Sequence, residues 1–328
     1  MTKTFDVPVL LIFFTRHEPF KKVFECVKQI KPSKLYLYQD GPRGEKDMAG
    51  IQKCREIAAD IDWACDVHQF YQEKNFGCDP SEYIAQKWMF DKEDRGIVLE
   101  DDDVVSQSFF YFCEELLEKY KDDQRINIIC GMNHLGTYSK TEADYIFTKA
   151  GAITGWASWK RVIDEWDPEY SFVENEYAKH CLKGVLGKYY NRVYNAWSEQ
   201  RRSGVAHYEG ILGSNAILNS RLNIVPTKNM VKNIGLTADA THSTGGLTFI
   251  PRAVRCIFFA PIYEYEFPLK HPKYVSEDVG YQKQIYNIVF ADGITRFLRR
   301  VEGRLYRLFP ALGRWTLTEA QKQESGIK

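Results

Sequence analysis

Four acidic residues in succession, Glu100 to Asp103, are the part of this sequence best suited to chemistry. They directly follow a short apolar run at residues 96–99, which predicts a buried strand. Carboxylates this close together repel strongly where water is scarce, and a divalent cation removes that cost. Oxygen ligands of this kind suit Mg²⁺ or Mn²⁺, which commonly joins one or two carboxylates to substrate phosphates. The run therefore predicts a metal and phosphate site, with a solvated acidic turn as the alternative.

The elements that must position these acids alternate along the first half of the chain. Runs rich in strand-forming residues lie at residues 7–15, 34–39, 63–70, 96–99 and 126–130, and helical patterns lie between them. Ser106 is the expected cap of the helix that follows the acids. Such alternation predicts an α/β fold with a mostly parallel sheet flanked by helices. Ligands of these sheets bind at the carboxyl ends of strands, where the strand order reverses, and the acids lie at one such end.

Length and composition limit the function classes. A chain of 328 residues with 44% hydrophobic residues can bury one large core, or one core with a modest appendage. Basic and acidic residues balance at 44 each, which argues against a nucleic-acid partner. No apolar run approaches the roughly 20 residues of a spanning helix, and the 8 cysteines form no Cys-x-x-Cys pair. We therefore expect a cytoplasmic protein with reduced thiols.

The second half of the sequence is less regular. Residues 156–166 show a helical pattern, residues 167–202 are polar and aromatic, and residues 222–226 and 230–234 predict short strands. We expect one domain at residues 1–250, made of a nucleotide-sugar half, 1–133, and an acceptor half, 134–250, followed by an extension at 251–328.

The extension ends in a segment, residues 294–315, that mixes apolar residues with arginines. An amphipathic helix of this composition binds anionic membrane surfaces in many peripheral proteins. A solvated helix that packs on the body of the protein would show the same pattern. Both interpretations stay open at the level of sequence.

Two common phosphate-binding motifs are absent. The sequence contains neither Gly-x-Gly-x-x-Gly at the first helix nor a Gly-x-x-x-x-Gly-Lys-Ser/Thr loop. A bound diphosphate would then depend on a metal and on polar side chains at other strand ends. Arg16 and Asp40 follow the first and second predicted strands, where they can reach a base and a ribose, or serve as ordinary surface and turn residues.

Several segments resemble known nucleotide-sugar enzymes. The run GIVLEDDDVVSQSFFYF at residues 96–112 resembles the strand, Glu-Asp-Asp motif and aromatic helix of animal N-acetylglucosaminyltransferase I. The segments YQDGPR (38–43), GWASWKR (155–161) and NIGLTADATHS (233–243) resemble bacterial GT-A nucleotide-diphospho-sugar transferases, some of them labelled hemolysin-like. The resemblance covers most of residues 7 to 243 and implies a GT-A fold with an acceptor-side region and a helical tail.

The resemblance also implies an activity and its ligands. Enzymes of this group transfer a sugar from a nucleotide-diphosphate sugar to a hydroxyl acceptor, with Mn²⁺ or Mg²⁺ as cofactor. Inversion at the anomeric carbon, a glycan or lipid-linked acceptor, and a role in surface polysaccharide or glycan synthesis are the matching expectations. A catalytically inactive binding protein of the same fold and a sugar-phosphate nucleotidyltransferase are the alternatives.

Site residues follow from the resemblance position by position. Asp102 would hold the metal with help from Asp101 or Asp103, and His242 would complete the metal or diphosphate site. Glu100 would face the sugar or the ribose.

The nucleotide and the donor sugar would contact further residues. The implied nucleotide contacts are Thr15, Arg16 and Asp40. Gly155 would let the backbone approach the donor sugar, and Trp156 would stack on a sugar or base unless it belongs to the core.

The catalytic base is the least defined position. The family's Trp-Asp-Tyr-Gln segment is missing, and His-Tyr-Glu-Gly at residues 207–210 occupies the corresponding distance before Asn233. Glu209 is therefore the expected base, with Glu199 as its rival.

Overall fold

The computed structural model describes residues 4–236 and 247–324. The first part of the chain alternates strands and helices as the sequence predicts. Its elements are β1 (Val9–Phe13), α1 (His17–Ile30), β2 (Lys34–Gln39), α2 (Glu45–Ala58), β3 (Asp66–Tyr71), α3 (Cys78–Phe90) and β4 (Arg95–Glu100). In α1, Phe20, Phe24 and Val27 recur at helical spacing and are buried, so one face of the helix packs on the sheet.

The remaining elements follow in a less regular order. They are β5 (Asp103–Val105), α4 (Gln107–Lys119), β6 (Ile126–Cys130), β7 (Tyr145–Thr148), β8 (Trp156–Trp159), α5 (Lys160–Ile163), α6 (Glu176–Leu186), α7 (Tyr190–Ser203), α8 (Tyr208–Leu218), β9 (Leu222–Pro226), β10 (Val231–Asn233), α9 (Val279–Val289), α10 (Gly293–Leu308), α11 (Pro310–Trp315) and α12 (Glu319–Glu324). Within the described residues, no helix is both long and apolar enough to cross a membrane.

An eight-stranded sheet in the order β3-β2-β1-β4-β8-β6-β9-β7 forms the centre of the fold. β3, β2, β1 and β4 are parallel to one another, and β6 is parallel to β9. β8 is antiparallel to both β4 and β6, and β7 is antiparallel to β9. Parallel pairs thus predominate, and the expected α/β fold with a mostly parallel sheet and flanking helices is confirmed.

A small second sheet lies beside the acidic run. β5 and β10 pair antiparallel, with Asn233 opposite Asp103. This pairing joins residues far apart in sequence, because β5 follows β4 directly whereas β10 comes from the end of the predicted acceptor half. The segment at residues 233–235 is thereby placed against the acids.

The helix predicted at residues 156–166 is wrong in its first part. Trp156–Trp159 forms β8, and a helix covers only Lys160–Ile163. All four β8 residues are buried between β4 and β6, so the strand shows no alternation of polar and apolar positions that would distinguish it from a buried helix. Strand pairing therefore decided the conformation. The irregular stretch expected at residues 167–202 likewise contains α6 and α7.

Candidate active site

A cleft of 240 Å³ lies at the carboxyl ends of β1, β2 and β4. β1 stands between β2 and β4, so the strand order reverses here, which is where ligands bind in open α/β sheets. The cleft is lined by residues 12–16, Tyr38, Asp40, Arg43, Asn75, Gly77, Cys78, Ser81, Glu82, Glu100 and Asp101. Thr15, Arg16, Asp40, Glu100 and Asp101 of the predicted site are thus brought together around one cavity.

Arg16 supplies the positive charge that faces the acids. It precedes α1 and forms ion pairs with Asp101 and with Asp102, its Nη2 lying 2.9 Å from Asp102 Oδ2. Arg16 Nε also donates to Asp101 Oδ2 at 3.3 Å. Burial raises the pKa of Asp101 to about 6, although Arg16 acts in the opposite direction. One guanidinium therefore offsets only part of the charge in this cluster.

Asp102 is held by the segment that begins at Asn233, the last residue of β10. Asn233 Nδ2 donates to Asp102 Oδ1 at 3.1 Å, and Ile234 N donates to the Asp102 carbonyl at 3.0 Å. A Cβ at Gly235 would collide with Asp102 Oδ2, so any other residue here would displace this carboxylate. The Asn-Ile-Gly segment and the acidic run, separate in sequence, form one site. His242 lies outside the described residues.

Asp103 and Gly155 have a structural role. Gly155 N donates to Asp103 Oδ2 at 2.8 Å, and Glu100 N donates to the same oxygen at 3.2 Å. Gly155 has φ +59°, and a Cβ there would approach Val231 Cγ2 to 2.9 Å. Any other residue would strain this turn. Asp103 therefore ties the acidic turn to the start of β8, away from the cleft.

Glu100 is half-buried in the cleft near a second acid, Glu82, which the sequence does not reveal as part of the site. Tyr208 Oη donates to Glu100 Oε1 at 2.9 Å. Burial, with the nearby charge of Asp102, raises the pKa of Glu100 to about 8. Burial and the charge of Glu100 raise the pKa of Glu82 to about 10, which favours the protonated form of this carboxyl group. In sequence, Glu82 was visible only as one polar residue in the pattern of α3.

Glu209 lies exposed in the first turn of α8, next to the anchored Tyr208. Its charge adds to the fields that raise the pKa values of Glu82 and Glu100, so it lies near the cleft. His207 precedes it, and His207 Nδ1 lies 3.0 Å from Asp79 Oδ1 in the first turn of α3. Glu199 is exposed on α7.

Asp40 uses both carboxylate oxygens to hold the loop before α3. Gly41 N and Phe76 N donate to Oδ1, each at 2.9 Å. Asn75 Nδ2 at 2.7 Å and Gly77 N at 2.9 Å donate to Oδ2. Asp40 is 6% exposed, and its carboxylate oxygens already accept these hydrogen bonds. The residue therefore shapes the wall of the cleft and offers little free acceptor capacity to a ribose.

Trp156 does not line the cleft. Its side chain is wholly buried in β8 and stacks on Phe90, with ring centroids 6.3 Å apart. The expectation that Trp156 contacts a sugar or base therefore does not fit the structure, because strand β8 lies inside the sheet. Its position matches the alternative of a core residue.

Comparison with known proteins gives distant likenesses alone. No protein-family model and no curated protein matches the sequence. Apo UDP-glucose pyrophosphorylase superposes with a TM-score of 0.35 at 9% identity, over 69% of this chain and 93% of that chain. An active-site mutant of LgtC gives 0.32 at 9% identity, over 63% of this chain and 69% of that chain. The glycosyltransferase GlyE of Streptococcus pneumoniae TIGR4 gives 0.30 at 10% identity, over 60% and 50%. Similarity at this level identifies neither a family nor an activity.

Proposed function

We propose that the protein is a GT-A glycosyltransferase that moves a sugar from a nucleotide-diphosphate sugar to a hydroxyl acceptor. The observation that carries the proposal is the position of Asp101 and Asp102. They follow β4 at the point where the strand order reverses, beside a cleft formed by the ends of β1 and β2. Inversion, a glycan or lipid-linked acceptor, and a place in polysaccharide synthesis belong to the same proposal.

The cleft offers distinct surfaces to the parts of a donor. Phe13, Phe14 and Tyr38 supply apolar surface suited to a base, and the Arg43 guanidinium lies 5.0 Å from the centre of the Phe14 ring. Thr15 and Arg16 lie between this surface and the acids. Arg16 lines the cleft and a guanidinium binds phosphate oxygens well, so Arg16 is the proposed contact of the diphosphate.

The acids fit a divalent cation by their chemistry. Asp101 and Asp102 supply hard oxygen ligands, and their charge exceeds the compensation that Arg16 gives. Among the described residues, no three His, Cys, Asp or Glu side chains are grouped so that they alone could hold a metal ion. Asp102 would hold the ion, with His242 as the proposed second ligand. When bound, the ion offsets the charge that develops on the leaving diphosphate.

The proposed base is Glu209. An acceptor hydroxyl must lose its proton as the new bond forms, and a carboxylate within reach accelerates that step. Glu209 is exposed, so an acceptor can reach it from solvent. Tyr208 fixes the start of α8 to Glu100 and thereby holds Glu209 at the edge of the site. Glu100, half-buried at the start of the acidic turn, would face the sugar or the ribose.

Substitution of Asp102 tests the proposal. In the wild type, UDP or GDP should raise the melting temperature more with Mn²⁺ than without it, because a ligand that binds only the folded state stabilises it. Asp102→Asn should remove the Mn²⁺-dependent part of the shift and leave the unliganded melting temperature nearly unchanged. Asp122→Asn, an exposed aspartate outside the cleft, serves as the matched control and should behave like the wild type.

Calorimetry with the same nucleotides measures their affinity for the wild type and for Asp102→Asn directly. An Asp102→Asn variant that binds a nucleoside diphosphate with unchanged affinity in Mn²⁺ would rule out the proposed metal site. A reaction assay separates the enzyme classes: release of a nucleoside diphosphate from a nucleotide sugar supports a transferase. Formation of a nucleotide sugar from a nucleoside triphosphate and a sugar phosphate would instead show a nucleotidyltransferase.

A further inference from the structure

Helix α10 presents a row of large apolar side chains to solvent. We name this row the apolar stripe: Ile294, Phe297, Leu298, Val301, Leu305 and Leu308. The spacing of three and four residues places them on one face of the helix. Ile294 is 75% exposed and Leu308 is 72% exposed, and Trp315 at the end of α11 is 79% exposed. Apolar surface that is contiguous and exposed in this way marks an interaction site.

The opposite face of α10 attaches the helix to the rest of the protein. Tyr306 is 5% exposed and lies beneath the Arg255 guanidinium, which is 4.8 Å from the ring centre. Arg299 Nη1 donates to the Ile288 carbonyl at 2.7 Å. The helix therefore packs through its polar face, while the apolar stripe points outward. Packing on the body of the protein does not account for the apolar residues.

Arginines border the apolar stripe. Arg296, Arg300, Arg304 and Arg307 are exposed. Their spacing places Arg300 and Arg304 beside the stripe, and Arg296 and Arg307 further round the helix. Glu302 is the one acidic residue in the sequence between 293 and 315. Its carboxylate accepts hydrogen bonds from Tyr306 Oη at 2.6 Å and from Arg252 N at 3.1 Å. The only negative charge of this segment is thus engaged on the inner side.

A second group of cations adjoins the start of α10. Lys188, Arg192 and Arg296 line a cavity of 550 Å³ between α7 and α10. Burial, together with the charges of Arg296 and Arg299, lowers the pKa of Arg192. Asp292 lines the same cavity and offsets part of this charge, so three cations stand against one carboxylate. The positive surface thus continues beyond the helix.

We propose that α10 and α11 lie on the surface of an anionic lipid bilayer. The apolar stripe would enter the boundary between headgroups and acyl chains, and the bordering arginines would contact lipid phosphates. A bilayer of anionic lipid supplies both the apolar phase and the negative charge that this surface lacks. A second copy of the chain would instead bring another arginine-rich helix to the same cationic surface.

Sedimentation of the full-length protein with vesicles tests the proposal. Wild-type protein should bind phosphatidylglycerol vesicles, bind phosphatidylcholine vesicles much less, and dissociate as salt is raised. Arg300→Gln and Arg304→Gln should each weaken partitioning by about fivefold, since an arginine near the surface contributes about 1 kcal/mol. Leu298→Glu with Leu305→Glu should weaken it by at least about tenfold, because two exposed apolar anchors are replaced by charge.

Matched controls separate a specific surface from general stickiness. Tyr177→Glu removes an aromatic side chain that is 77% exposed on α6, and Lys46→Gln with Lys53→Gln removes two exposed charges from α2. Both controls should bind vesicles like the wild type. Equal vesicle binding by the stripe variants and the wild type would overturn the proposal. A vesicle-free dimer in light scattering that Leu298→Glu with Leu305→Glu dissociates would overturn it in favour of self-association.

Discussion

For the proposed transferase, Glu209 is the proposed base and Glu199 is the alternative, and substitution of each distinguishes them. Glu209→Gln keeps the size of the side chain but cannot accept a proton, so sugar transfer should fall at least about a hundredfold while donor affinity stays near the wild-type value. Glu199→Gln should transfer at the wild-type rate. Initial rates with a soluble acceptor and calorimetric titration with the donor measure both effects. A slow Glu199→Gln beside a fully active Glu209→Gln would assign the base to Glu199.

We expect Glu82 to make the stability of the protein depend on pH. Its pKa is raised from 4.5 to about 10 in the folded state, so the unfolded chain releases this proton at a lower pH than the folded chain. The contribution of Glu82 to stability is therefore complete below pH 4.5 and is lost as pH rises toward 10. Glu82→Gln removes this dependence, so the variant should gain stability relative to the wild type between pH 5 and pH 9.

Urea unfolding in EDTA at several pH values measures the effect of Glu82→Gln. The exposed Glu45→Gln is the matched control and should follow the wild type throughout. A stability difference between Glu82→Gln and wild type that stays constant with pH would show that Glu82 is already ionised in the folded protein.

The residues of the candidate site differ in how far sequence could predict them. Asp101 and Asp102 are adjacent and end an apolar run, so their number and place signalled the site. Glu82 and Tyr208 reach Glu100 from two different helices, α3 and α8. A helical pattern predicts which face of a helix is buried. It does not predict which residues of other elements a single glutamate on that face will lie near.

Among the elements, α4 shows a cap that sequence analysis assigned to the wrong residue. Ser106 occupies the N-cap position but its hydroxyl makes no cap hydrogen bond. The carboxylate of Glu264 instead accepts from Gln107 N at 3.1 Å and Ser108 N at 2.8 Å. A negative group at this end of a helix accepts hydrogen bonds from the free N–H groups and interacts favourably with the positive end of the helix dipole. The capping residue comes from more than 150 residues away, so local sequence could not reveal it.

Loss of this cap should destabilise the protein. Glu264→Ala should reduce the free energy of unfolding by about 1 kcal/mol, whereas Glu266→Ala, an exposed neighbour, should have little effect. Urea denaturation followed by far-UV circular dichroism measures both variants. A Glu264→Ala variant as stable as the wild type would show that water or Ser106 replaces the carboxylate without cost.

Some strands are predictable from their local sequence, whereas others depend on residues distant in sequence. β2 and β6 begin and end where the sequence predicts, because each is a β-rich run bounded by turn residues or charges. The sequence predicts a helix where β8 lies. The strand conformation there depends on pairing with β4 and β6, which are distant in sequence and leave no local signal. Short buried runs are ambiguous until the sheet that contains them is known.

At the scale of the whole molecule, the two halves of the sheet form in different ways. β1, β2, β3 and β4 are parallel and come from the first hundred residues, with a helix in each of the connections. That regular alternation is what sequence analysis recognised. The other half interleaves strands from residues 126 to 226 and mixes both directions, so no simple repeat predicts it.

Asp40 orders the loop before α3 when the protein folds, so the entropic cost of ordering that loop belongs to folding and not to ligand binding. Residues 75–77 are fastened to the end of β2 by several hydrogen bonds to one carboxylate. The conformational entropy of this loop is therefore lost when the chain folds, before any ligand arrives. A ligand that enters the cleft meets a loop that these hydrogen bonds already order, so little of its contact energy is consumed in ordering that loop. Preorganisation of this kind favours tight capture by a small cavity.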